Sequence, residues 1–516
     1  MLRKKGIHFY LVIGLFAVYL INGLIAIPLN SVTHDEMDNW SYGKRILMRK
    51  TDKVYMFDDA GVMPVCGLNA LPRAVQQLAH PNLLKTDGGF SDINNGRYVT
   101  LIICLLTGFL IYRWSKELFG KNGGLLSLFL FVFCPDLNGH GILLNMDAYT
   151  ALITLSTAYF YWKFIKRSGW KYFLAFSISI AIAQITKYSM IHLLFFFGVV
   201  SIFVLLKRKT LVNRSWINVR RLLVLGITII FFINLGYIFN HPGKSLTEFT
   251  LASTSFKTLQ SSFLGSIPLP FPKPYIEGLD MISYMNELGA GHQYVSDNNY
   301  LLGETRAGKG FWYYYLVVFL FKTPLLSILL MIAAIVFLFV RKEKQGHPST
   351  MLFLLGLIFY FLFVLGFQNN VQIGVRHVLM VYPLLYVLAG FITTLPVFQQ
   401  RQKLFTALII IYSLATYYYY FPNLLSYTNE LIPVKKNAYK ILADSNLDYG
   451  QGYGSAMKYL ETHPGVKIAD TIPAKGKFII GVNDYLDLKG NGKYAWLKNF
   501  KPAGNINHGW LLIDTN

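Results

Sequence analysis

Residues 7–29 read IHFYLVIGLFAVYLINGLIAIPL and contain no Asp, Glu, Lys or Arg. At 1.5 Å per residue, a helix of this length crosses a hydrocarbon core of about 30 Å. A basic start, Arg3-Lys4-Lys5, precedes it. The run is longer than the apolar core of a signal peptide, and no clear cleavage site follows. The stretch therefore predicts an uncleaved first transmembrane helix.

The composition extends this prediction to the whole chain. Of 516 residues, 54% are hydrophobic and only 14% are charged, whereas soluble proteins carry about 25% charge. We expect an α-helical polytopic membrane protein with about eleven transmembrane helices. The apolar segments lie near residues 7–29, 98–113, 122–135, 148–163, 172–187, 189–206, 222–240, 315–340, 350–367, 378–396 and 404–421.

The net charge of +22 indicates orientation in the membrane and argues against nucleic-acid binding. Lys and Arg cluster in short loops between apolar segments, as cytoplasmic loops do. With the N-terminus in the cytoplasm, every such loop falls on that side. They are Arg3–Lys5, Lys163–Lys171, Lys207–Lys209, Arg220–Arg221, Arg341–Lys344 and Arg401–Lys403.

The long loops then share the opposite face, which is the periplasm in a bacterial inner membrane and the ER lumen in a eukaryote. They are residues 30–97, residues 241–311 and the tail. We expect a transmembrane domain over 1–421 and an external C-terminal α+β domain over 422–516. Short strands are predicted in the tail at Val466–Ala469, Lys477–Val482 and Trp510–Ile513.

Two interfacial segments are also predicted. Ala70–Ala79 is amphipathic and could lie on the membrane surface. Residues 311–340 exceed the length of one span, and Pro324 suits the first turn of a helix. We therefore expect an interfacial segment over Phe311–Thr323, with the span beginning after it.

Three carboxylates at external helix ends are candidate catalytic groups. Asp35 and Glu36 follow the first span, and Asp147 precedes the fourth. A carboxylate in this position can act as a general base on an incoming hydroxyl or amine. Two alternatives stay open: Asp35 and Glu36 as an exposed helix-end pair, and Asp147 as an ion-pair partner of Arg97 or Lys187.

Cations at external helix ends are less expected than cytoplasmic ones. Arg97, Lys187 and Arg376, with His377, are of this kind. Arg and Lys bind phosphate, so an anionic lipid headgroup would explain them. The alternatives are snorkelling or pairing with loop carboxylates, and for His377 an ordinary hydrogen bond.

The segment 444–451 reads DSNLDYGQ and is dense in polar side chains. Asp444, Asn446, Asp448 and Gln451 are candidate ligands for sugar hydroxyls, although a turn with helix caps would have the same composition. No spacing compels a metal site. A divalent metal near His34 or His140 is possible, and no cofactor is certain.

These motifs together resemble the polyprenyl-phosphate-dependent glycosyltransferases, which include the family 39 protein mannosyltransferases and the related aminoarabinose transferases. The order of the motifs carries the resemblance over most of residues 1–451. Here Tyr449 stands where bacterial members usually have Trp. The motifs are Asp35-Glu36, Phe119-Gly120 with Gly123-Gly124 and Pro135, Gly139-His140-Gly141 with Asp147, Thr186–Ser189, Lys322-Thr323-Pro324, Arg376-His377 with Tyr382-Pro383, Ser426–Glu430 and Asp444–Gln451.

The resemblance implies a C-type glycosyltransferase (GT-C) fold with its site at the external membrane face. Carried over by position, Asp35 is the base, and Glu36 and Asp147 orient the acceptor. Arg97, Lys187 and Arg376 contact the donor phosphate. The implied donor is a polyprenyl-phosphate sugar, and the acceptor is a lipid, a glycan or a protein. Transfer would be a single displacement with inversion.

Two other classes of function remain. A transporter or flippase for a lipid-linked or anionic solute would use the same external cations. The large external loops, the external tail and the carboxylates at one face argue against it. A non-catalytic membrane scaffold is the second alternative, which the clustered carboxylates disfavour only modestly.

Overall fold

The predicted first span forms helix α1, Ile7–Leu29. The computed structural model describes residues 6–54, 57–79, 93–207, 218–340 and 347–516, and within them the chain is mostly helical. The helices are α1, α2 Glu36–Leu47, α3 Cys66–Ala79, α4 Ile93–Val132, α5 Pro135–Gly141, α6 Asp147–Arg167, α7 Trp170–Ala183, α8 Ile191–Lys207, α9 Val219–Gly236, α10 Thr254–Gln260, α11 Lys273–Leu288, α12 Tyr314–Lys322, α13 Leu325–Val340, α14 Pro348–Gln368, α15 Val381–Ala389, α16 Pro396–Gln400, α17 Gln402–Tyr420, α18 Tyr453–Thr462 and α19 Val482–Leu486.

Five of the described helices are long and apolar enough to cross a membrane, and a bent helix pair makes a sixth candidate. The predicted class, a polytopic α-helical membrane protein with a small C-terminal sheet, is confirmed. The figure of about eleven spans stays a prediction. The five are Ile7–Leu29, Ile93–Val132, Tyr188–Leu206, Val219–Gly236 and Pro348–Gln368.

Helix α4 reverses direction at Gly120, whose backbone (φ 79°, ψ −176°) is not helical. The Ser127 hydroxyl donates to the Ser115 hydroxyl at 2.8 Å across the turn. Residues so far apart in sequence meet only if two helical arms run antiparallel. A side chain at 120 other than glycine would be strained at this φ. The two apolar segments predicted at 98–113 and 122–135 are therefore the two arms of a helical hairpin.

A second break separates α12 from α13. The two helices meet at 115° across Thr323 and Pro324, where proline begins the new helix without losing a helical hydrogen bond. This is the position at which the sequence predicted the end of an interfacial segment. The predicted amphipathic stretch 70–79 lies within helix α3.

The backbone contacts divide the chain into two compact units. The first contains the N-terminal helix, α4 from Cys104 onwards and the C-terminal part of the chain: Met1–His34, Cys104–Leu143 and Leu288–Asn516. The second contains Asp35–Ile103 and Leu144–Glu287. The second unit has a core of buried aromatic rings that includes Tyr42, Tyr188, Tyr237 and Tyr275. The domain boundary predicted at residue 421 stays a prediction.

The C-terminal tail carries a four-stranded sheet of order β3-β4-β6-β5. The three predicted strands are present as β3 Val466–Ile468, β4 Lys477–Gly481 and β6 Trp510–Asp514, and Gly504–Ile506 adds β5. The β3–β4 pair is parallel, whereas β6 pairs antiparallel with both β4 and β5. A separate hairpin, β1 Asn299–Leu301 with β2 Glu304–Arg306, lies in the predicted external loop 241–311.

Candidate active site and its supporting ion pairs

Helix α2 begins at the predicted catalytic pair. Asp35 is its N-cap residue, and Glu36 and Asp38 lie in its first turn, while Lys44 and Arg45 lie in its last. Charges of this sign at the two ends stabilise a helix through its dipole. The Asp35 side chain is partly exposed and Glu36 is buried. The two neighbouring carboxylates therefore occupy different environments.

Glu36 pairs with Arg97 from the beginning of α4. Arg97 Nε donates to Glu36 Oε1 at 2.7 Å, and Nη2 donates to Oε2 at 2.6 Å. The two side chains are 2% and 1% exposed, respectively. A two-pronged pair of this kind satisfies the carboxylate with fixed geometry. The family resemblance implied that Glu36 orients the acceptor substrate and that Arg97 contacts the donor phosphate. In the structure the two side chains form an ion pair with each other.

Glu36 also bonds to the backbone just before helix α6. Its Oε1 accepts a hydrogen bond from the Leu144 backbone N–H at 2.8 Å, and the Asn39 amide donates to the Leu144 carbonyl at 3.2 Å. The α6 segment beginning at Asp147 is thereby attached to the first turns of α2. Asp147, the third predicted carboxylate, thus follows by three residues a backbone group that is bonded to Glu36.

Asp147 forms an ion pair with Lys187, whose Nζ lies 2.6 Å from Asp147 Oδ1. Asp147 is 4% exposed and Lys187 is 21% exposed. Lys187 lies in extended backbone (φ −161°, ψ 141°) between α7 and α8. The pairing left open for Asp147 in the sequence is therefore present. An ammonium has three hydrogen-bond donors, and the partial exposure of Lys187 leaves one side of it open to solvent.

In the other compact unit, the residues just before Asp35 lie along the 449–454 segment. The backbone N–H groups of Ser31 and His34 donate to the carbonyls of Gln451 and Tyr449, at 3.0 and 3.2 Å. The Gly454 N–H donates to the Ser31 hydroxyl at 2.8 Å. These bonds join two stretches that the sequence singled out separately.

Asn446 and Gln451 use their amide groups within the protein. Asn446 Oδ1 accepts from the Val375 N–H at 2.9 Å, and its Nδ2 donates to the Tyr314 hydroxyl. Gln451 Oε1 accepts from the Tyr449 N–H at 2.6 Å, and its Nε2 donates to the Leu447 carbonyl. Both residues are buried. The geometry favours a role in shaping this segment over direct contact with a sugar.

Asn446 positions the next predicted pair, Arg376 and His377. The Arg376 guanidinium donates to the Tyr449 hydroxyl at 2.5 Å and lies over the Tyr449 ring, 4.5 Å from its centroid. His377 Nδ1 is 2.8 Å from the Tyr315 hydroxyl. Tyrosine at 449 therefore offers Arg376 both a ring face and a hydroxyl acceptor, whereas a tryptophan would offer only the ring.

The two carboxylates of segment 444–451 accept hydrogen bonds from backbone N–H groups of the segment itself. Asp444 begins a short helix with φ 55° and accepts from the Ser445 N–H at 2.5 Å. Asp448 Oδ1 accepts from the Gly450 N–H at 3.0 Å. Burial is the main cause that raises the pKa of Asp448 from 3.8 to about 6; the hydrogen bond from the Gly450 N–H opposes the shift, and the negative charge of Asp484 contributes to it. The folded protein therefore disfavours the charged form of Asp448 relative to the unfolded chain.

A buried lysine that the sequence analysis did not select lies at the centre of the same unit. Lys322 Nζ lies 2.9 Å from Asp136 Oδ1, and both side chains are fully buried. The same ammonium donates to the carbonyls of Leu425, Tyr427 and Asn446 at 2.6–2.8 Å. The Lys-Thr-Pro motif was noted only as part of the family pattern, and no local feature pointed to an ion pair.

Metal-ligating side chains do not assemble in the described part of the chain. No group of three or more His, Cys, Asp or Glu residues there is arranged to hold a metal ion. His140 is buried in α5 and His34 is exposed. The three cysteines are free and buried. The residues present therefore do not form a ligand set of the kind suggested near His34 or His140.

Comparison with known proteins adds one family and two solved structures. The model of the dolichyl-phosphate-mannose-protein mannosyltransferase family matches residues 89–235. This segment contains Arg97, Asp147 and Lys187, and the match confirms the resemblance expected from the motifs. It indicates a glycosyltransferase. No curated protein matches the chain.

Among solved structures, the chain is similar to the archaeal oligosaccharyltransferase AglB from Archaeoglobus fulgidus, in complex with an inhibitory peptide and a dolichol-phosphate. The identity is 13% and the TM-score 0.46, over 87% of this chain and 54% of AglB. The chain thus spans about half the length of that protein. It is also similar to ArnT from Cupriavidus metallidurans bound to undecaprenyl phosphate, at 10% identity and a TM-score of 0.35, over 97% of each chain.

Proposed function

We propose that the protein transfers a sugar from a polyprenyl-phosphate donor to an acceptor at the external membrane face, with Asp35 as the general base. The observation that carries the proposal is the arrangement around Asp35. The neighbouring Glu36 is paired with Arg97 and bonded to the backbone just before α6, and Asp147 at the start of α6 pairs with Lys187. These contacts hold the residue next to Asp35, whose own carboxylate is partly exposed.

The reaction that suits this arrangement is a single displacement. The Asp35 carboxylate takes the proton from an acceptor hydroxyl or amine as that atom bonds to the anomeric carbon. The bond from this carbon to the phosphate oxygen breaks, and the polyprenyl phosphate leaves with the bonding electrons. Because attack comes from the face opposite the leaving group, the anomeric configuration inverts.

The developing phosphate charge needs a cation, and Lys187 is the best candidate in this unit. It is partly exposed, and one carboxylate contact leaves donor capacity for a phosphate oxygen. Arg97 is enclosed with Glu36, so we propose that it positions Glu36. Arg376 remains a candidate phosphate contact in the other unit, and Asp448 a candidate contact for sugar hydroxyls.

The GT-C fold, the inner membrane of a bacterium and the cytoplasmic N-terminus are parts of the same proposal. The basic loops and the long apolar helices support the membrane location and the orientation. The family match over residues 89–235 supports the fold. Acceptors that remain open are a lipid, a glycan and a protein.

The test is release of radiolabelled sugar from a panel of polyprenyl-phosphate sugars, with lipid, glycan and peptide acceptors supplied, by purified wild-type protein and Asp35→Asn. The matched control is Asp58→Asn, an exposed aspartate in the same predicted loop. We expect turnover by wild type and the control, and a loss of about 100-fold or more in Asp35→Asn with donor binding retained. Donor binding without release by the wild type would overturn transfer and favour transport.

A further inference from the structure

An exposed apolar segment projects from the predicted external loop 241–311. It comprises residues 254–267, which we call the apolar finger. Phe263 is 81% exposed, and Leu259, Leu264 and Ile267 are 38%, 41% and 47% exposed. Large apolar side chains concentrated in this way mark an interaction surface.

The finger is held rigidly at its base. The Asp280 carboxylate accepts hydrogen bonds from the Ala252 and Ser253 N–H groups, at 2.7 and 3.0 Å. The Glu287 carboxylate accepts from the Thr254 and Ser255 N–H groups, at 2.8 and 3.2 Å. These bonds satisfy the free backbone donors at the start of α10. The apolar side chains are therefore presented by an ordered element.

The tip of the finger is folded tightly as well. The Gln260 side-chain amide donates to the carbonyls of Leu246 and Phe249 at 2.7 and 2.9 Å. A Cβ atom at Gly265 would lie 2.0 Å from the Gln260 carbonyl oxygen, so only glycine fits at this turn. The turn is therefore ordered, and it holds the side chains of Phe263 and Leu264 on the surface of the protein.

The chain after the finger returns to the external end of helix α9. The Leu269 N–H donates to the Lys244 carbonyl, and the Lys273 N–H donates to the Asn240 carbonyl, both at 3.0 Å. The Asn234 amide of α9 donates to the Pro270 carbonyl at 2.7 Å. Ile267 is therefore two residues from a segment bonded to the end of a candidate membrane span.

The outer face of α9 is apolar along its length. Exposed side chains recur every four residues at Leu223, Ile227, Phe231 and Leu235, and Phe239 continues them past the helix end. In a membrane-spanning helix such a stripe faces lipid. The chain that follows the finger is bonded to the end of α9, where this stripe ends. Lys257 adds an exposed positive charge on α10, as anionic headgroups favour.

We propose that the apolar finger is a membrane anchor that inserts Phe263 and Leu264 into the headgroup region of the external leaflet. The finger binds the lipid surface beside α9. Apolar interfacial elements reach about 5–10 Å into the headgroup region. The anchor fixes loop 241–311 to the bilayer. The proposal does not depend on the transfer reaction.

The test uses site-directed spin labelling of Phe263→Cys in nanodiscs of phosphatidylethanolamine and phosphatidylglycerol. The three native cysteines are buried, so the label reacts at the new position. The control is Ile472→Cys, an apolar residue of the tail that is 70% exposed. Both replaced side chains lie largely outside the core, so neither substitution disturbs its packing.

Collision of the label with lipid-soluble oxygen is compared with collision with a water-soluble nickel chelate. We expect the label at 263 to favour oxygen several-fold over the chelate, and the label at 472 to favour the chelate. Equal preference for the chelate at both positions would overturn the proposal, because the finger would then lie in water. Low collision with both reagents at 263 would also overturn it, since a second copy of the protein would then cover the finger.

Discussion

The Arg97 guanidinium donates two parallel hydrogen bonds, at 2.6 and 2.7 Å, to the Glu36 carboxylate, and both side chains are buried. Because Glu36 also accepts from the Leu144 N–H, it connects the beginning of α2 both to the beginning of α4 and to the backbone three residues before α6. Because Asp35 directly precedes Glu36 in the chain, this contact also restrains the backbone position of Asp35.

Removal of either partner should therefore destabilise the protein strongly. Arg97→Ala leaves a buried carboxylate without its cation, and we expect a loss of about 3–5 kcal/mol. Thermal unfolding of the detergent-solubilised protein measures it. Arg113→Ala breaks the exposed Arg113–Glu117 pair and should cost less than about 1 kcal/mol. Equal losses in the two variants would contradict a supporting role for Arg97.

Lys187 should act on the donor. If its ammonium binds phosphate, Lys187→Met removes a charge-assisted hydrogen bond worth about 1.5–3 kcal/mol. The donor KM should then rise roughly 10- to 100-fold, while Lys187→Arg, which keeps the charge, retains most of the affinity. Steady-state kinetics over a range of donor concentrations tests this. A fall in kcat at constant KM would show instead that Lys187 only orients Asp147.

The buried Lys322–Asp136 pair predicts a rescue experiment. Lys322→Met leaves the Asp136 carboxylate buried without its cation, at an expected cost of about 3–5 kcal/mol. Adding Asp136→Leu removes the buried charge and should recover part of the stability. The recovery should be incomplete, because the carbonyls of Leu425, Tyr427 and Asn446 still lack the ammonium donor. A double variant no more stable than Lys322→Met would contradict this reasoning.

His508 predicts loss of stability in acid. Burial, with the positive charge of Lys435 as the smaller cause, lowers the pKa of His508 from 6.5 to about 4. Between these pH values the unfolded chain binds the proton and the folded chain does not. Stability from this residue is therefore full above pH 6.5 and is lost as the pH falls towards 4.

Melting temperatures at pH 7 and pH 5 measure the effect. His508→Asn should show a smaller drop between the two pH values than the wild type. Asparagine suits the positive φ of 62° at this position, so the backbone turn is preserved. Parallel drops in the two proteins would exclude His508 as the source.

Asp448 should have the opposite effect on the pH dependence of stability. Because the folded pKa of about 6 exceeds the ordinary 3.8, its favourable contribution is present below pH 3.8 and is lost as the pH rises through 6. Asp448→Asn should raise the melting temperature at pH 7.5, with a gain that shrinks towards pH 4. If Asp448 also binds the sugar, the same variant should lose transfer activity. Glu461→Gln, at an exposed site, should change neither quantity.

Much of the architecture could be predicted because it depends on local patterns. Apolar length located α1, Pro324 located the break between α12 and α13, and β-rich runs located three tail strands to within one residue at each end. Strand β5, Gly504–Ile506, has Gly and Asn at two of its three positions. Its strand propensity is too weak to detect without its partner β6.

The candidate site was predictable in its members and only partly in its pairings. Charged residues near spans are rare enough to attract notice, so Glu36, Arg97, Asp147 and Lys187 could all be selected. Which cation meets which carboxylate depends on how distant helices pack, and this has no local signal. The same reason hid Lys322 and Asp136, since an ion pair between distant segments leaves no spacing to recognise.

The bonds between Ser31 and the 451–454 segment have a consequence for how the protein is made. Ser31 and Gly454 are 423 positions apart, so a ribosome releases the first long before it synthesises the second. Contacts of such long range form late in folding. The residues that lead into Asp35 thus obtain their backbone partners only when almost the whole chain has been inserted. A product that ends before Tyr449 would therefore lack the carbonyl groups that accept hydrogen bonds from the Ser31 and His34 N–H groups.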